Sequence, residues 1–115
     1  MINPRYNLWL EQDGKVVLSG WRVRLLQAVA STGSITAAAE ALDVPYRRAW
    51  EKLKEMEKRL GLSLLETEVG GAGGGGARLT PEAEDLVSRF LEFANGFEAE
   101  VDTRFKRAFE GVWPG

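Results

Sequence analysis

The chain has no cysteine and no histidine among its 115 residues. Without thiolate or imidazole it lacks the side chains from which zinc and most transition-metal sites are built. Nucleophilic catalysis through a Ser/His or Cys/His pair is excluded on the same ground, and nothing positive argues for an enzyme. Long apolar runs are missing too. None approaches the roughly 20 residues that cross a bilayer, and Met1-Ile2-Asn3-Pro4-Arg5 has no apolar stretch behind its charge. Nor is there an excess of positive charge: 15 Lys and Arg stand against 17 Asp and Glu, a net of -2. Together these absences predict a soluble, cytoplasmic protein with no membrane contact, no metal and no cofactor. The length allows one domain, spanning 1–115, with a real hydrophobic core. Any attraction for a polyanion must come from where the cations stand, because exposed charges act over only about 8 to 10 Å at physiological salt.

What is present begins with a β-hairpin over residues 8–19. Leu8-Trp9-Leu10-Glu11 and Val16-Val17-Leu18 flank Asp13-Gly14, a strong two-residue turn signal because glycine accepts the positive φ of a type I′ turn. A regular register then sets Leu10 opposite Val17 and Trp9 opposite Leu18. An isolated hairpin is marginal in water, so one face is expected to pack on the helices that follow. Next, Trp21, Leu25, Ala28 and Val29 form one helical stripe with Leu26 beside it. Thr32-Gly33 ends that helix, and Ser34 is placed to N-cap another.

Residues 34–60 read as a helix-turn-helix. Ile35, Ala38, Ala39 and Leu42 share a face whose alanines permit a close crossing, and Asp43-Val44 forms the turn. Pro45 suits the first turn of the second helix, where its missing N–H is no loss. Tyr46, Ala49, Trp50, Leu53, Met56 and Leu60 then define the buried stripe, leaving Arg47, Arg48, Glu51, Lys52, Glu55 and Lys58 outward. In such a pair the first turn of the second helix reaches base edges in the DNA major groove, and arginine matches guanine O6 and N7 with two parallel hydrogen bonds. Arg47 and Arg48 occupy that turn, Tyr46 stands at its edge, and Lys52 is in reach of a phosphate. The alternative is a solvated face, with Arg47 paired to Glu51 four residues on.

Residues 64–79 read as two short strands joined by glycine: Leu64-Leu65-Glu66-Thr67-Glu68-Val69-Gly70-Gly71-Ala72-Gly73-Gly74-Gly75-Gly76-Ala77-Arg78-Leu79. No Lys-Ser/Thr pair follows, so this is not a P-loop. After a helix-turn-helix it reads as a wing. With Thr32-Gly33-Ser34-Ile35, Ala37-Ala38-Ala39 and Tyr46-Arg47-Arg48-Ala49-Trp50, it resembles the N-terminal domain of ModE-type molybdate-dependent transcriptional regulators, over about residues 8–91. The winged helix of LysR-type regulators is similar at greater distance. The resemblance implies a mainly α fold with a small β part, a winged helix-turn-helix acting as a dimer on double-stranded DNA. Ser34, Thr36, Tyr46, Arg47, Arg48 and Lys52 then belong to the DNA-facing surface, with Arg78 on the wing, and the regulated genes concern molybdate uptake or molybdenum-cofactor use.

Three departures qualify the resemblance. The molybdate-binding domains that follow the winged helix in that family have no counterpart before Gly115, so any molybdate response is expected from a separate molybdate-binding protein. Pro45 stands where the family often has a serine N-cap. Glu66-Thr67-Glu68 stands where the first wing strand usually carries arginine. A carboxylate repels a phosphate by roughly 1 kcal/mol at 4 Å in water. Either the wing is turned from the DNA backbone, with Arg78 as its only cation, or DNA binding is weak. In the second case the chain is a protein-interaction or dimerisation module.

Residues 81–109 read as one long helix, N-capped by Thr80, started by Pro81 and complemented at its N-terminus by Glu82, Glu84 and Asp85. Val87, Phe90, Ala94, Phe97, Val101 and Ala108 line one face, which Leu86, Leu91, Phe93, Phe105 and Phe109 widen beyond what one small domain covers. A second copy of the same helix is the economical partner, with Phe90, Phe93, Phe97, Val101 and Phe105 as contacts. Asn95-Gly96 is a point at which this helix can bend or break.

Overall fold

Asp13 and Gly14 both have positive φ, 53° and 77°, as a type I′ turn requires. They join strand β1 (Trp9–Gln12) to strand β2 (Lys15–Ser19). The register departs from the regular one. Gln12 pairs with Lys15 and Glu11 with Val16, but Leu10 then pairs with Leu18 and Trp9 with Ser19. Val17 is the extra residue of a β-bulge. Consecutive residues of a regular strand face opposite sides, so one of Val17 and Leu18 would be wetted. The bulge lets both be buried, and packing overrides the simple ladder.

The computed structural model describes residues 1–68 and 75–114. After the hairpin come helices α1 (Gly20–Thr32), α2 (Ile35–Ala41) and α3 (Tyr46–Leu60). The antiparallel strands β3 (Leu65–Thr67) and β4 (Ala77–Leu79) follow, then helices α4 (Pro81–Ala94) and α5 (Phe97–Ala108). Most of the glycine run, 70–74, lies outside the described residues, as does Val69. Among the described residues no helix is long and apolar enough to cross a membrane.

Local chemistry sets the ends of these elements. The Ser19 hydroxyl accepts the Arg22 amide at 3.1 Å and starts α1, which stops at Gly33 with φ 81°. Ser34 accepts the Ala37 amide at 3.0 Å and caps α2 as expected. Asp43 turns the chain at φ 54°. Pro45 stands one residue before α3 rather than within it, at the cap position, and offers no side-chain bond. Its carbonyl accepts the Arg48 and Ala49 amides at 3.0 and 3.2 Å. Thr80 caps α4 through the Ala83 amide at 3.1 Å and also donates to the Ser63 carbonyl at 2.8 Å. Ser34→Ala is expected to cost about 1 kcal/mol, seen as a lower urea midpoint at unchanged slope. Ser34→Asp, which can still cap, should restore most of it.

The core draws Leu25, Leu26 and Val29 from α1, Ala38 and Ala39 from α2, and Ala49, Leu53 and Met56 from α3. Leu64, Leu79, Ala83 and Phe90 close it from the other side. Leu18 of the hairpin joins it, and Arg59 of α3 donates to the Val16 carbonyl at 2.8 Å, so the hairpin packs on the helices as its marginal stability demands. Trp50 corrects the expected stripe. It is 43% exposed and Tyr46 50%, because at about 100° per residue Trp50 sits about 90° from the direction of Ala49, Leu53, Met56 and Leu60. The stripe is narrower than apolar periodicity alone implies.

The expected 81–109 helix is interrupted. Asn95 leaves helical geometry and Gly96 takes φ 90°, so α5 starts afresh at Phe97. Phe90 is a second correction. Expected on a dimer face, it is 5% exposed and belongs to the core of its own chain, because α4 turns that residue toward α1. Leu91, Phe93, Phe97 and Phe109 remain exposed, and α5 contributes no buried residue. The molecule measures 61 × 30 × 22 Å, and its radius of gyration is 17.6 Å, where a compact chain of this length would have about 13 Å.

Candidate nucleic-acid interface

Three sectors of α3 lie outside the core. Arg47, Glu51, Lys54 and Lys58 point directly away from it; Tyr46 and Trp50 flank one side, and Arg48, Lys52, Glu55 and Arg59 the other. Arg47 has 88% of its side chain exposed, with Nε 3.2 Å from Glu51 Oε1. That i,i+4 pair is worth about 0.2 to 0.5 kcal/mol, small against the about 1 to 3 kcal/mol of a bidentate contact to guanine. Glu51 therefore does not tie Arg47 down. Arg48 is exposed as well. The first turn of α3 carries no acidic residue, so the positive end of the helix dipole adds to both guanidiniums.

Lys52 and Glu55 are not simply outward. Glu55 Oε1 lies 3.2 Å from Arg22 Nη2 and also pairs with Arg59, while its Oε2 lies 3.3 Å from Lys52 Nζ. Burial pushes the Glu55 carboxyl pKa up, but Arg22 and then Lys52 outweigh it and hold the group below the ordinary carboxylate value. Arg22 is only 7% exposed. A partner 33 residues away leaves no local signal. Lys52, expected at a phosphate, is held by Glu55 on the flank toward this cluster.

The wing strands pair Leu65 with Leu79, Glu66 with Arg78 and Thr67 with Ala77. Arg78 Nε is 2.7 Å from Glu66 Oε2 with both side chains in water, and hydrogen bonding to Glu66 raises the Arg78 pKa. The wing's expected cation is thus neutralised across the strand, and Glu68 remains. At its base the wing is tied to the turn between α1 and α2, where the Ala77 amide donates to the Gly33 carbonyl at 2.8 Å, and it is extended within itself by the Glu68 amide donating to the Gly76 carbonyl at 2.9 Å. Ser34, Thr36, Tyr46 and Trp50 meet Thr67 and Glu68 across an open cleft of about 360 Å³. The structure therefore brings Ser34, Thr36 and Tyr46 together beside the wing, sets Arg47 on the adjoining outward sector and Arg48 on the flank beyond it, and leaves Arg78 engaged. Sequence reasoning missed Trp50 as part of this surface. Its angular distance from Leu53 and Met56 was the available signal.

A tight helix pair on a three-helix core, with a two-stranded β-hairpin tied beside the second helix, defines a winged helix-turn-helix protein. The chain belongs to the lysR family of bacterial regulatory helix-turn-helix proteins, whose family model matches residues 21–84. It is 44% identical over 90 residues to the transcriptional regulator ModE of Haemophilus influenzae, an alignment covering 78% of this chain and 35% of that protein. To the molybdenum transport protein ModE of Herbaspirillum seropedicae it is 44% identical over 68 residues, 59% of this chain and 25% of that one. Among solved structures, the DNA-binding domain of CbnR in complex with DNA superposes with a TM-score of 0.55 at 26% identity, covering 70% of this chain and 90% of that domain. The chain spans about a quarter to a third of the length of these ModE relatives.

Proposed function

We propose that the protein binds double-stranded DNA as a homodimer at an inverted repeat and regulates genes of molybdate transport or molybdenum-cofactor use. The observation that carries this is the pair Arg47 and Arg48, exposed in a first turn of α3 that holds no acidic residue. In this reading Arg47 and Arg48 contact bases, and Ser34, Thr36 and Tyr46 lie along the same groove. Lys52 and Arg78 contribute to phosphate contact only if they exchange Glu55 and Glu66 for it. The ModE names of the relatives support the molybdenum link, and CbnR supports the mode of binding. The family is one of regulators rather than of enzymes.

Selection of genomic fragments bound by the full chain tests the reading. The expected product is an inverted repeat with half-sites about 34 Å apart or a multiple of it, and an affinity that falls steeply with salt. A second reading is favoured by Glu66, Glu68 and the engaged Arg78: the module contacts another protein and not DNA. No enrichment over a charge-matched control at low salt would establish it instead.

Dimerisation is proposed through the apolar face that Phe93, Phe97, Val101 and Phe105 present on α4 and α5. Phe97→Glu with Phe105→Glu should yield a monomer by sedimentation equilibrium. The monomer should still unfold cooperatively, since α5 has no buried residue, at a melting point that no longer depends on protein concentration.

A further inference from the structure

Trp50 occupies a place that its chemistry does not explain. It is one helical turn from Tyr46 on the flank of α3 that faces the wing, and both rings are substantially exposed. Lys54, one turn on, holds its ammonium 5.9 Å from the Trp50 ring centroid, so a cation covers part of the ring. The remaining ring surface opens into the cleft with Ser34, Thr36 and Thr67. A large aromatic left in water on a helix whose adjoining outward sector carries Arg47 is poised for an apolar contact made only when that helix is occupied.

We infer that Trp50, with Tyr46, is a specificity-determining residue that packs on thymine 5-methyl groups in the major groove, beside the bases reached by Arg47 and Arg48. This rests on the DNA-binding reading above. Of the four bases, only thymine presents an apolar group on its major-groove edge; the others present donors and acceptors. An indole ring has one N–H donor and no acceptor, so it gains little from those polar edges and most from a methyl. Its station on the flank places it about 60° around the helix from Arg47. The two then read neighbouring base pairs rather than the same one. Insertion of the ring between bases is a different arrangement, usual for minor-groove wedges that kink the duplex. Stacking on an unpaired base needs a single strand.

The test uses the full chain and the site recovered by fragment selection. Each thymine is replaced in turn by deoxyuridine, which keeps pairing and removes only the methyl. At one or two positions per half-site the wild-type protein is expected to lose about four-fold in affinity, the worth of burying one methyl group. In Trp50→Ala that loss should vanish at the same positions while overall affinity falls, the signature of a coupled pair. Trp50→Phe should retain part of both. Melting of each variant confirms the fold, which an exposed residue is not expected to disturb. The same thymine-to-uridine ratio in wild type and Trp50→Ala at every position overturns the inference while leaving DNA binding intact. Absence of any enriched site overturns both readings.

Discussion

Replacing Arg47 and Arg48 together by alanine is expected to lower affinity for the selected DNA site by between about 30-fold and about 10⁴-fold, from two bidentate contacts of about 1 to 3 kcal/mol each. Fluorescence anisotropy at fixed salt measures it. Both side chains stand in water, and among the described residues Arg47 bonds Glu51 alone, so the melting point should barely move. Lysine distinguishes the kind of contact. Arg47→Lys with Arg48→Lys keeps the charge and loses the planar fork, so retained affinity would assign the two cations to phosphates and remove them as base readers. Arg78→Ala should matter far less, because an exposed cation already paired with Glu66 has little to lose.

The second large effect is on stability and arises on the flank of α3 that meets α1. Glu55→Ala is expected to cost about 3 kcal/mol, the lower end for breaking a buried ion pair, since Glu55 keeps a quarter of its side chain in water. The loss arises from Arg22. Its Nη1 is buried with no hydrogen-bond partner among the described residues, and removing Glu55 would strand the rest of the guanidinium too. For a chain of this size the melting point should drop by roughly 10 to 15 °C. Replacing both partners, Arg22→Met with Glu55→Leu, should recover most of it, because the desolvation cost then disappears with the charge. Acid should act as the single variant does. The folded Glu55 pKa lies below its unfolded value, so its contribution is fully present above the ordinary carboxylate range and is lost as pH falls through the folded value. Thermal scans from neutral to acid pH should therefore lose this part of their slope in Glu55→Gln.

The parts of the fold that were legible in the sequence are those with local causes. Asp13-Gly14 demanded its turn, Ser34 and Thr80 their caps, and Gly33 its helix stop, each through chemistry contained within four residues. The helix pair and wing were readable because Ala38 and Ala39 permit a close crossing and two short strands flank the glycines. What escaped depends on distant packing. The bulge at Val17 is set by a core that the hairpin meets only after folding. Phe90 goes inward and Phe97 outward although both fit one periodic face, because the break at Asn95 and Gly96 lets the second half leave the body. The two exposed arginines at the start of α3 were legible as a cluster, whereas the exposure of Trp50 was hidden by its apolar character, and Arg22 and Glu55 found each other across two helices.

The departure of α5 from the body has a practical side. A particle 61 Å long and 22 Å across its thinnest axis drags more water than a sphere of its 12.7 kDa. On a column calibrated with spherical standards, a single copy should elute early and mimic a heavier species. Light scattering, which responds to mass and not to shape, is the measurement that tells one copy of this chain from two.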